Sequence, residues 1–442
     1  MAKLALTDIF TEAQALGPIA SPASKDLDIL RRIFYKVNLI YEEMAKRRPS
    51  VIVGRKGAGK TALLHSVYLD NRYKIIVELT AHRAFRQMVD SIERLSKGTV
   101  LVEEVSDLWE LIFWHAILAE MAKLEDKQDD LAMIRNYLSA IGLAKIQSPY
   151  AFIERLVDLL KKHGEAENIG AISAFFGETE FNGCTYDQVR SAAIDFIERN
   201  DMRAIVLLDA LEDFRLDDRT MCHAISGLLR CQGSFRFPGS PCELRCCIPS
   251  ELYHRLMELS SNPNKDFQHR VIVHWHASEL VPLAAARYMA FLELCHPQTH
   301  SRFSHLKLDK RSDAVQLWTS VLPSTINNRI GLVEKPLAYI LRHTQLLPRH
   351  FIMYLNHIYQ KNRREGNSPD NFTAKSIVDG VYDMEDTILK DILSGYRYVY
   401  PGAWQACERC IPYLHLYFSD GDLHRVYNMR GTKVDGILEY DD

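Results

Sequence analysis

The sequence predicts an α/β protein, a parallel β-sheet with helices packed on it and further helices added to it. Short apolar, β-branched runs of the kind seen in buried parallel strands recur at 50–53, 73–80, 202–209, 243–248 and 269–275. Segments with apolar residues at helical spacing separate these runs. A glycine-rich loop follows the first run directly and leads into a helical segment. This succession of strand, loop and helix is typical of α/β sheets.

The glycine-rich loop reads Gly-Arg-Lys-Gly-Ala-Gly-Lys-Thr and satisfies the phosphate-loop pattern G-x-x-x-x-G-K-[ST]. Glycines let successive backbone N–H groups converge on phosphate oxygens, and the helix that begins there adds the positive end of its dipole. Lys60 is expected to neutralise the β- and γ-phosphates, and the Thr61 hydroxyl to bind Mg²⁺. The alternative is a glycine-rich turn between an unrelated strand and helix. The residues assigned to the nucleotide are Gly54, Arg55, Lys56, Gly57, Ala58, Gly59, Lys60, Thr61 and Ala62.

The strand predicted at 202–209 ends abruptly in carboxylates. Its apolar residues lead to Asp209, and two further acids follow at Glu212 and Asp213. A buried parallel strand that ends in Asp is the Walker B pattern, in which Asp209 holds Mg²⁺ through water opposite Lys60. The alternative is an ordinary strand end that meets an acidic loop.

The remaining segments suggest how the chain is divided. Residues 100–200 show helical patterns and no comparable strand, which predicts a helical insertion in the α/β domain. The stretch 362–371 is the best linker candidate. The predicted domains are a flexible leader at 1–24, an ATPase domain at 25–295, a helical lid at 296–365 and a helical or winged-helix unit at 366–442.

Composition excludes several classes of protein. The formal net charge of −3 provides no overall electrostatic attraction to nucleic acid or to anionic membranes. The basic clusters at 46–48 and 361–364 are expected to be solvated helix faces. Nine scattered cysteines indicate reduced thiols, with Cys407 and Cys410 interpreted as packing residues and not as a metal site. Without a secretory signal or a run of 18 apolar residues, a cytoplasmic location is expected.

With these parts in place, the chain resembles the AAA+-like branch of P-loop ATPases, of the STAND and NACHT type, and related bacterial ATPases of antiviral conflict systems. The loop at 54–61, the strand ending at Asp209, and Leu-Leu-Pro-Arg-His-Phe-Ile-Met-Tyr-Leu at 346–355, which opens a lid helix, carry the resemblance. It covers residues 25–365, approximately. Such ATPases often keep a γ-phosphate sensor at the position of Ser250.

The resemblance also implies roles for individual residues. Asp209 would serve Mg²⁺, Glu212 or Asp213 would orient the attacking water, and Arg349 would reach the γ-phosphate when the lid closes. For Arg349 the alternative is a helix-N-terminal arginine paired with a nearby carboxylate. Ala210 stands where many AAA+ ATPases place a catalytic glutamate. Slow hydrolysis is therefore expected, which suits a switch better than a motor.

Three functions are compatible with these observations. The leading interpretation is an ATP-binding, Mg²⁺-dependent, slowly hydrolysing switch in bacterial defence, whose nucleotide state controls assembly with itself or with an effector chain. The second is a DNA-handling ATPase resembling origin-recognition proteins, with 366–442 as a winged-helix reader, although the acidic isoelectric point argues against it. The third is a small-molecule kinase, which the large C-terminal helical region disfavours.

Overall fold

Strands and helices alternate in the structure as the sequence predicts. The computed structural model describes residues 6–19, 30–31, 39–80, 84–86, 88–90, 93, 101–125, 130–143, 155, 175–209, 218–235, 240–260, 262–396, 400, 402–415 and 417–430. The strands are β1 (Val51–Gly54), β2 (Tyr73–Thr80), β3 (Arg203–Asp209), β4 (Cys242–Pro249), β5 (Arg270–Val273), β6 (Ile326–Asn327) and β7 (Val333–Glu334). The helices are α1 (Leu6–Ile9), α2 (Leu39–Arg47), α3 (Lys60–His65), α4 (Val102–Met121), α5 (Ala132–Ala140), α6 (Tyr186–Arg199), α7 (Arg219–Phe235), α8 (Ser250–Leu259), α9 (Pro263–Asp266), α10 (Ala277–Cys295), α11 (Pro297–Phe303), α12 (Arg311–Val321), α13 (Pro336–His343), α14 (Pro348–Arg364), α15 (Ala374–Ser394), α16 (Ala403–Cys410) and α17 (Asp420–Arg430).

The first five strands form one parallel sheet in the order β2-β3-β4-β1-β5. The three inner strands are buried along almost their whole length, whereas buried and exposed residues alternate along β5. This difference is expected because an inner parallel strand is covered on both faces and an edge strand is not. All five strands predicted from apolar runs are confirmed.

The strand order reverses beside β1. After β1 the chain crosses to β2, which lies at one edge of the sheet. β3 and β4 fill the positions between β2 and β1, and β5 lies on the other side of β1. In open α/β sheets such a reversal opens a crevice at the carboxyl ends of the strands, and ligands bind there. The loop after β1 begins at this crevice.

The helical insertion between β2 and β3 forms much of the core around the sheet. α4 is buried on nearly all sides, and it packs against β2, β3 and α7. The indole N–H of Trp109 donates a hydrogen bond of 2.8 Å to the carbonyl of Ala224 in α7. The insertion is therefore a structural layer of the α/β fold. Within the predicted insertion, residues 126–129, 144–154 and 156–174 lie outside the described residues.

The chain divides into two compact units. The sheet unit comprises Leu39–Gly54 and Lys60–Val273, and the helical unit comprises Met1–Asn38, Arg55–Gly59 and His274–Asp442. The residues Arg55–Gly59, here called the loop apex, thus belong with the helical unit although their neighbours in sequence belong to the sheet unit. The domain boundaries proposed from sequence stay predictions.

Residues 6–19, expected to be a flexible leader, instead pack into the helical unit. The side chains of Phe10 and Leu16 are buried. The backbone N–H of Leu16 donates to the Asn356 carboxamide over 2.7 Å, and the Arg287 guanidinium donates to the Leu16 carbonyl over 3.2 Å. Side chains of α10 and α14 thus hold the segment around Leu16 in place. The Gly-Pro and Ser-Pro steps, which suggested a loose leader, come directly after this segment.

The stretch 362–371 comprises the end of α14 and a hydrogen-bonded connection to α15, and is not a loose linker. The buried side chain of Asn362 donates to the Asn371 carbonyl over 3.0 Å and accepts the N–H of Thr373 over 3.1 Å. α15 then packs along α14. One asparagine satisfies the polar groups of this turn, an arrangement that the polar composition of the stretch does not reveal.

The described part of 366–442 contains helices and a 3-10 turn and no strand, and the choice between a helical and a winged-helix unit stays a prediction. α16 ends at Cys410, because Pro412 in the following 3-10 turn has no N–H to continue it. No helix among the described residues combines the length and apolar character that a membrane crossing requires.

A buried histidine in α4 should make the sheet unit sensitive to acid. The Nδ1 atom of His115 lies 2.8 Å from the Leu111 carbonyl, and Nε2 lies 2.9 Å from the Tyr137 hydroxyl. Burial lowers the pKa of His115 to about 4, and the bond to Leu111 only partly opposes this shift. The unfolded chain therefore binds a proton below about pH 6.5 that the native protein does not bind. As the pH falls from about 6.5 to 4, the free energy of unfolding should fall by about 3 kcal/mol from this group alone.

Chemical denaturation between pH 7 and pH 4.5 tests this prediction. In the variant His115→Gln, which keeps a donor and an acceptor, stability should depend less on pH than in the wild type. The exposed His305, changed to Gln, is the matched control and should leave the wild-type dependence unchanged. Parallel curves for the wild type and His115→Gln would show that another group causes the acid sensitivity.

Candidate functional site

The loop after β1 has the backbone conformation that a phosphate loop requires. Gly57 and Gly59 have positive φ angles of 84° and 89°, a left-handed region that residues with a side chain rarely occupy. The N–H of Ala58 donates to the Arg55 carbonyl over 3.0 Å and closes a turn. α3 begins at Lys60, immediately after the loop. The loop therefore leads straight to a helix N-terminus, where unpaired N–H groups favour anions.

Lys60 is a buried cation within this stretch. Its side chain is only 6% exposed, and the ammonium donates a 3.0 Å hydrogen bond to the carbonyl of Gly54, where the loop begins. A lysine is seldom buried without a specific partner, because removing the ammonium from water is costly. The position of Lys60 fits its predicted role at the phosphates. Thr61 follows it in the first turn of α3.

Asp209 ends β3 at the same edge of the sheet. β4 lies between β3 and β1. Leu208 is opposite Cys246, and Cys246 is opposite Val51, so Asp209 stands level with Ile52 near the end of β1. In a parallel sheet all carboxyl ends point to one edge, so the Asp209 carboxylate and the loop share that edge. The Walker B role of Asp209 stays a prediction.

Other predicted site residues lie in the segments that follow β3 and β4. Glu212 and Asp213 lie outside the described residues, so their roles stay predictions. Ser250 is the first residue of α8, directly after β4, and its hydroxyl lies 3.2 Å from the Glu251 carboxylate. Pro249, the last residue of β4, is opposite Gly54, the last residue of β1. Ser250, the next residue, therefore also lies at the carboxyl ends of the strands.

Backbone contacts in the helical unit hold the loop apex. The N–H of Arg349, in the first turn of α14, donates to the Gly57 carbonyl over 3.3 Å. The indole N–H of Trp275 donates to the Ala58 carbonyl over 2.8 Å. Neither contact could be predicted from local sequence, because each joins the apex to a residue more than two hundred positions away. Arg349 therefore lies beside the apex, and its sensor role stays a prediction.

A second set of contacts converges on the carboxylate of Asp391, near the end of α15. The Lys56 ammonium lies 3.1 Å from it, the His350 ring 3.2 Å and the Arg349 guanidinium 3.8 Å. The hydrogen bond from His350, together with Lys56 and Arg349, holds the pKa of Asp391 well below its usual range although burial opposes the shift. The alternative considered for Arg349, pairing with a carboxylate, is thus the contact that the structure contains.

A cleft of about 480 Å³ in the helical unit adjoins this carboxylate. Its volume is within the range of small-molecule sites. The lining residues are Ile19, Arg349, Met353, Thr387, Lys390, Asp391 and Ser394. The cleft therefore combines apolar side chains with two cations next to the loop apex.

Mg²⁺ is the metal that these residues fit. In the described part of the chain, no three His, Cys, Asp or Glu residues cluster as a metal site would require. Mg²⁺ usually binds one or two protein groups and completes its shell with phosphate oxygens and water, so Thr61 and Asp209 would suffice beside a nucleotide. Burial raises the pKa of both Cys407 and Cys410, which favours the neutral thiol and fits their interpretation as packing residues.

The strand order, the loop after β1 and the Asp at the end of β3 together define an α/β P-loop NTPase fold. No protein-family model matches the chain. A putative transposon gamma-delta 80.3 kDa protein of Escherichia coli K12 is 22% identical over 369 residues, which are 80% of this chain and 47% of that protein. The chain thus spans about half the length of this curated relative.

A solved structure, the Walker-type ATPase PABY2304 of Pyrococcus abyssi, is also similar. The alignment covers 93% of this chain and 85% of that chain at 11% identity, with a TM-score of 0.38. The fold assignment does not depend on this loose superposition, because it follows from the strand order and the loop.

Substitution of the two loop glycines should have unequal effects. A left-handed φ costs a residue with a side chain about 1 kcal/mol, and this penalty applies to both Gly57→Ala and Gly59→Ala. A Cβ atom at Gly57 would also lie 3.1 Å from the Cβ of Arg349, whereas one at Gly59 would meet no atom within 4 Å. Gly57→Ala should therefore lower the melting temperature more than Gly59→Ala, as measured by differential scanning calorimetry without nucleotide. Equal losses would mean that Arg349 does not crowd the apex.

Proposed function

We propose that this protein binds ATP with Mg²⁺ and hydrolyses it slowly, and that the bound nucleotide controls its assembly. The observation that carries the proposal is the conformation of the loop. Two left-handed glycines, Gly57 and Gly59, directly precede the buried Lys60 at the start of α3, at the carboxyl edge of a parallel sheet. This combination presents backbone donors, a helix dipole and a cation to one anionic ligand.

The proposed roles follow from the chemistry of each residue. The backbone N–H groups of the loop and the ammonium of Lys60 would bind the phosphates, and the Thr61 hydroxyl and the Asp209 carboxylate would hold Mg²⁺. When bound, Mg²⁺ supplies positive charge that offsets the charge on the phosphate oxygens. Within the helical unit, Arg349 and Trp275 hold the carbonyls of the apex.

Slow hydrolysis is part of the proposal. Glu212 or Asp213 would orient the attacking water, and Ala210, directly after Asp209, cannot act as a base. Ser250 and Arg349 would respond to the γ-phosphate. An enzyme of this kind remains in the ATP state long enough for that state to control binding to other proteins.

The biological role is proposed from the resemblance to STAND and NACHT ATPases. We propose assembly with further copies of this chain or with an effector chain in a bacterial antiviral system, since the sequence contains no recognisable nuclease or protease motif. The relative from Escherichia coli is named as a transposon protein, and that name gives no activity.

Ion pairing of the basic clusters favours the switch over a DNA-handling ATPase. Lys361 lies 2.7 Å from the Asp383 carboxylate, and Lys46 lies 3.1 Å from the Glu42 carboxylate. Lysine and arginine side chains that bind DNA displace counterions from its phosphates. A carboxylate paired with such a lysine repels the phosphate and so weakens its binding to DNA. Among the described residues, no contact favours a small-molecule kinase over these two functions.

Replacing Lys60 by Ala should abolish tight ATP binding. Its ammonium would face the phosphates, and within the fold it donates to the Gly54 carbonyl. Losing that hydrogen bond should change the free energy of unfolding by only about 1 kcal/mol. Calorimetric titration with ATP and Mg²⁺ measures the affinity, and thermal unfolding without nucleotide checks the fold. The exposed Lys74, changed to Ala, is the matched control and should bind ATP as the wild type does.

The same variants test the switch. With ATP and Mg²⁺ the mass of the wild type and of Lys74→Ala in solution should increase, while that of Lys60→Ala should not. If Lys60→Ala retained full ATP affinity, the phosphate-loop assignment would be wrong.

Two acidic residues should separate binding from turnover. Asp209→Ala should weaken ATP binding in the presence of Mg²⁺ and have little effect without it, because the carboxylate acts through the metal. Glu212→Gln should leave ATP bound and slow its hydrolysis, because a carboxylate that orients water acts in the transition state. Binding is measured by calorimetry and turnover by phosphate release. If Asp213→Asn stops turnover and Glu212→Gln does not, the water-orienting residue is Asp213.

A further inference from the structure

Lys56 belongs to the phosphate-loop sequence, and its side chain contacts α15 in the helical unit. Its ammonium lies 3.1 Å from the Asp391 carboxylate and donates to the Ser394 hydroxyl over 2.7 Å. The Arg349 guanidinium lies 3.8 Å from the same carboxylate. The side chains of Lys56 and Arg349 are 30% exposed and that of Asp391 is 21% exposed. One half-buried carboxylate thus binds two cations at the loop apex.

The carboxylate of Asp391 is held in this position by its neighbours. His350, which is only 1% exposed, directs Nε2 at Asp391 over 3.2 Å and Nδ1 at the Thr344 carbonyl over 3.2 Å. The Ser394 hydroxyl donates to the backbone carbonyl of Asp391 over 2.7 Å. Because these contacts favour the ionised form, the pKa of Asp391 is well below its usual range and the group stays negative at neutral pH.

The negative charge lies beside the loop apex, to which the proposed function assigns part of an anion site. The backbone N–H of Arg349 donates to the Gly57 carbonyl, so the cations that Asp391 holds stand next to the apex. A triphosphate at the loop would attract Lys56 and Arg349 and would be repelled by Asp391. While the Asp391 carboxylate holds Lys56 and Arg349, the two cations are less available to the triphosphate. The same carboxylate also repels the triphosphate, so both effects weaken nucleotide binding.

α15 does not need the ion pairs of Asp391 to remain packed in the helical unit. α15 is anchored by the buried apolar side chains of Ile377, Val381 and Ile388, which belong to the core of the helical unit. Partly exposed ion pairs contribute little to stability, with a typical value of about 1 kcal/mol or less. The convergence of two cations on one carboxylate at the apex therefore calls for a reason other than stability.

We propose that Asp391 is a built-in competitor of the nucleotide: its carboxylate holds Lys56 and Arg349 until a triphosphate draws them away. This inference depends on the proposed nucleotide function and adds a means of regulating it. Because binding linkage is reciprocal, any partner that pulls α15 from the apex would raise the affinity for ATP, and ATP would favour that partner. A ligand shifts an equilibrium between two conformations only if it binds them with different affinities. Here ATP would bind more tightly when Lys56 and Arg349 are released from Asp391.

The variant Asp391→Asn tests this proposal, because it removes the charge and nearly preserves the shape. Calorimetric titration should show tighter ATP binding than in the wild type, by about fivefold for the loss of one ion pair. Asp386, on the same helix, forms an exposed pair with Lys390, so Asp386→Asn removes the same charge from a different contact. This control should bind ATP as the wild type does. Unchanged or weaker binding by Asp391→Asn would overturn the proposal.

Lys56→Gln shows whether the cation mediates the effect. If Asp391 acts through Lys56, the gain from Asp391→Asn should be smaller in a Lys56→Gln background than in the wild type. An equal gain in both backgrounds would mean that the effect does not pass through Lys56 and would overturn the mechanism.

Hydrogen exchange of the wild type keeps the proposal testable if Asp391→Asn does not fold. Added ATP should slow exchange across 54–61 and speed it across 390–395, where the carboxylate loses its partners, while α12 serves as an internal control that should not change. Slower or unchanged exchange at 390–395 would contradict the competition. If the wild type binds no ATP, or if Lys60→Ala binds it equally well, the proposed function itself fails. If only the Asp391 results differ from those expected, the proposed function stands.

Discussion

The burial of β1 is the constraint on which the site depends. β1 lies between β4 and β5, and all four of its residues are buried. A strand that is paired on both sides and covered on both faces cannot shift its register without exposing apolar side chains. Gly54 is therefore fixed at the carboxyl edge, and the loop must turn from that point into α3. The loop therefore begins at a fixed position, and hydrogen bonds to the Gly57 and Ala58 carbonyls hold its apex.

Charge is distributed around the loop in two sets. In the sheet unit, Lys60 and Asp209 lie near the carboxyl edge, and in the proposed function they would provide a cation and a carboxylate for a metal–nucleotide complex. In the helical unit, Lys56 and Arg349 meet the Asp391 carboxylate. Direct backbone hydrogen bonds to Gly57 and Ala58 make the apex part of the helical unit. These short-range contacts lie within the helical unit and hold the apex there.

Local patterns predicted some parts of this protein well and others poorly. The five strands and most of the helices could be predicted because apolar periodicity reflects burial directly. The leader and the linker were misjudged because glycine, proline and polar residues suggest flexibility, whereas single side chains decide the outcome. Asn362 holds one turn, and Arg287 and Asn356 hold the residues near Leu16. Nothing in a polar stretch reveals that a distant amide or guanidinium will satisfy its backbone.

The sequence by itself determined the phosphate-loop pattern, the parallel sheet and the acidic end of β3. Each of these depends on residues close together in the chain, where glycine conformation and strand burial leave few alternatives. Only the tertiary structure decided that Asp391 meets Lys56 and that Trp275 binds the Ala58 carbonyl. Such contacts join residues hundreds of positions apart, and their formation depends on how whole helices pack.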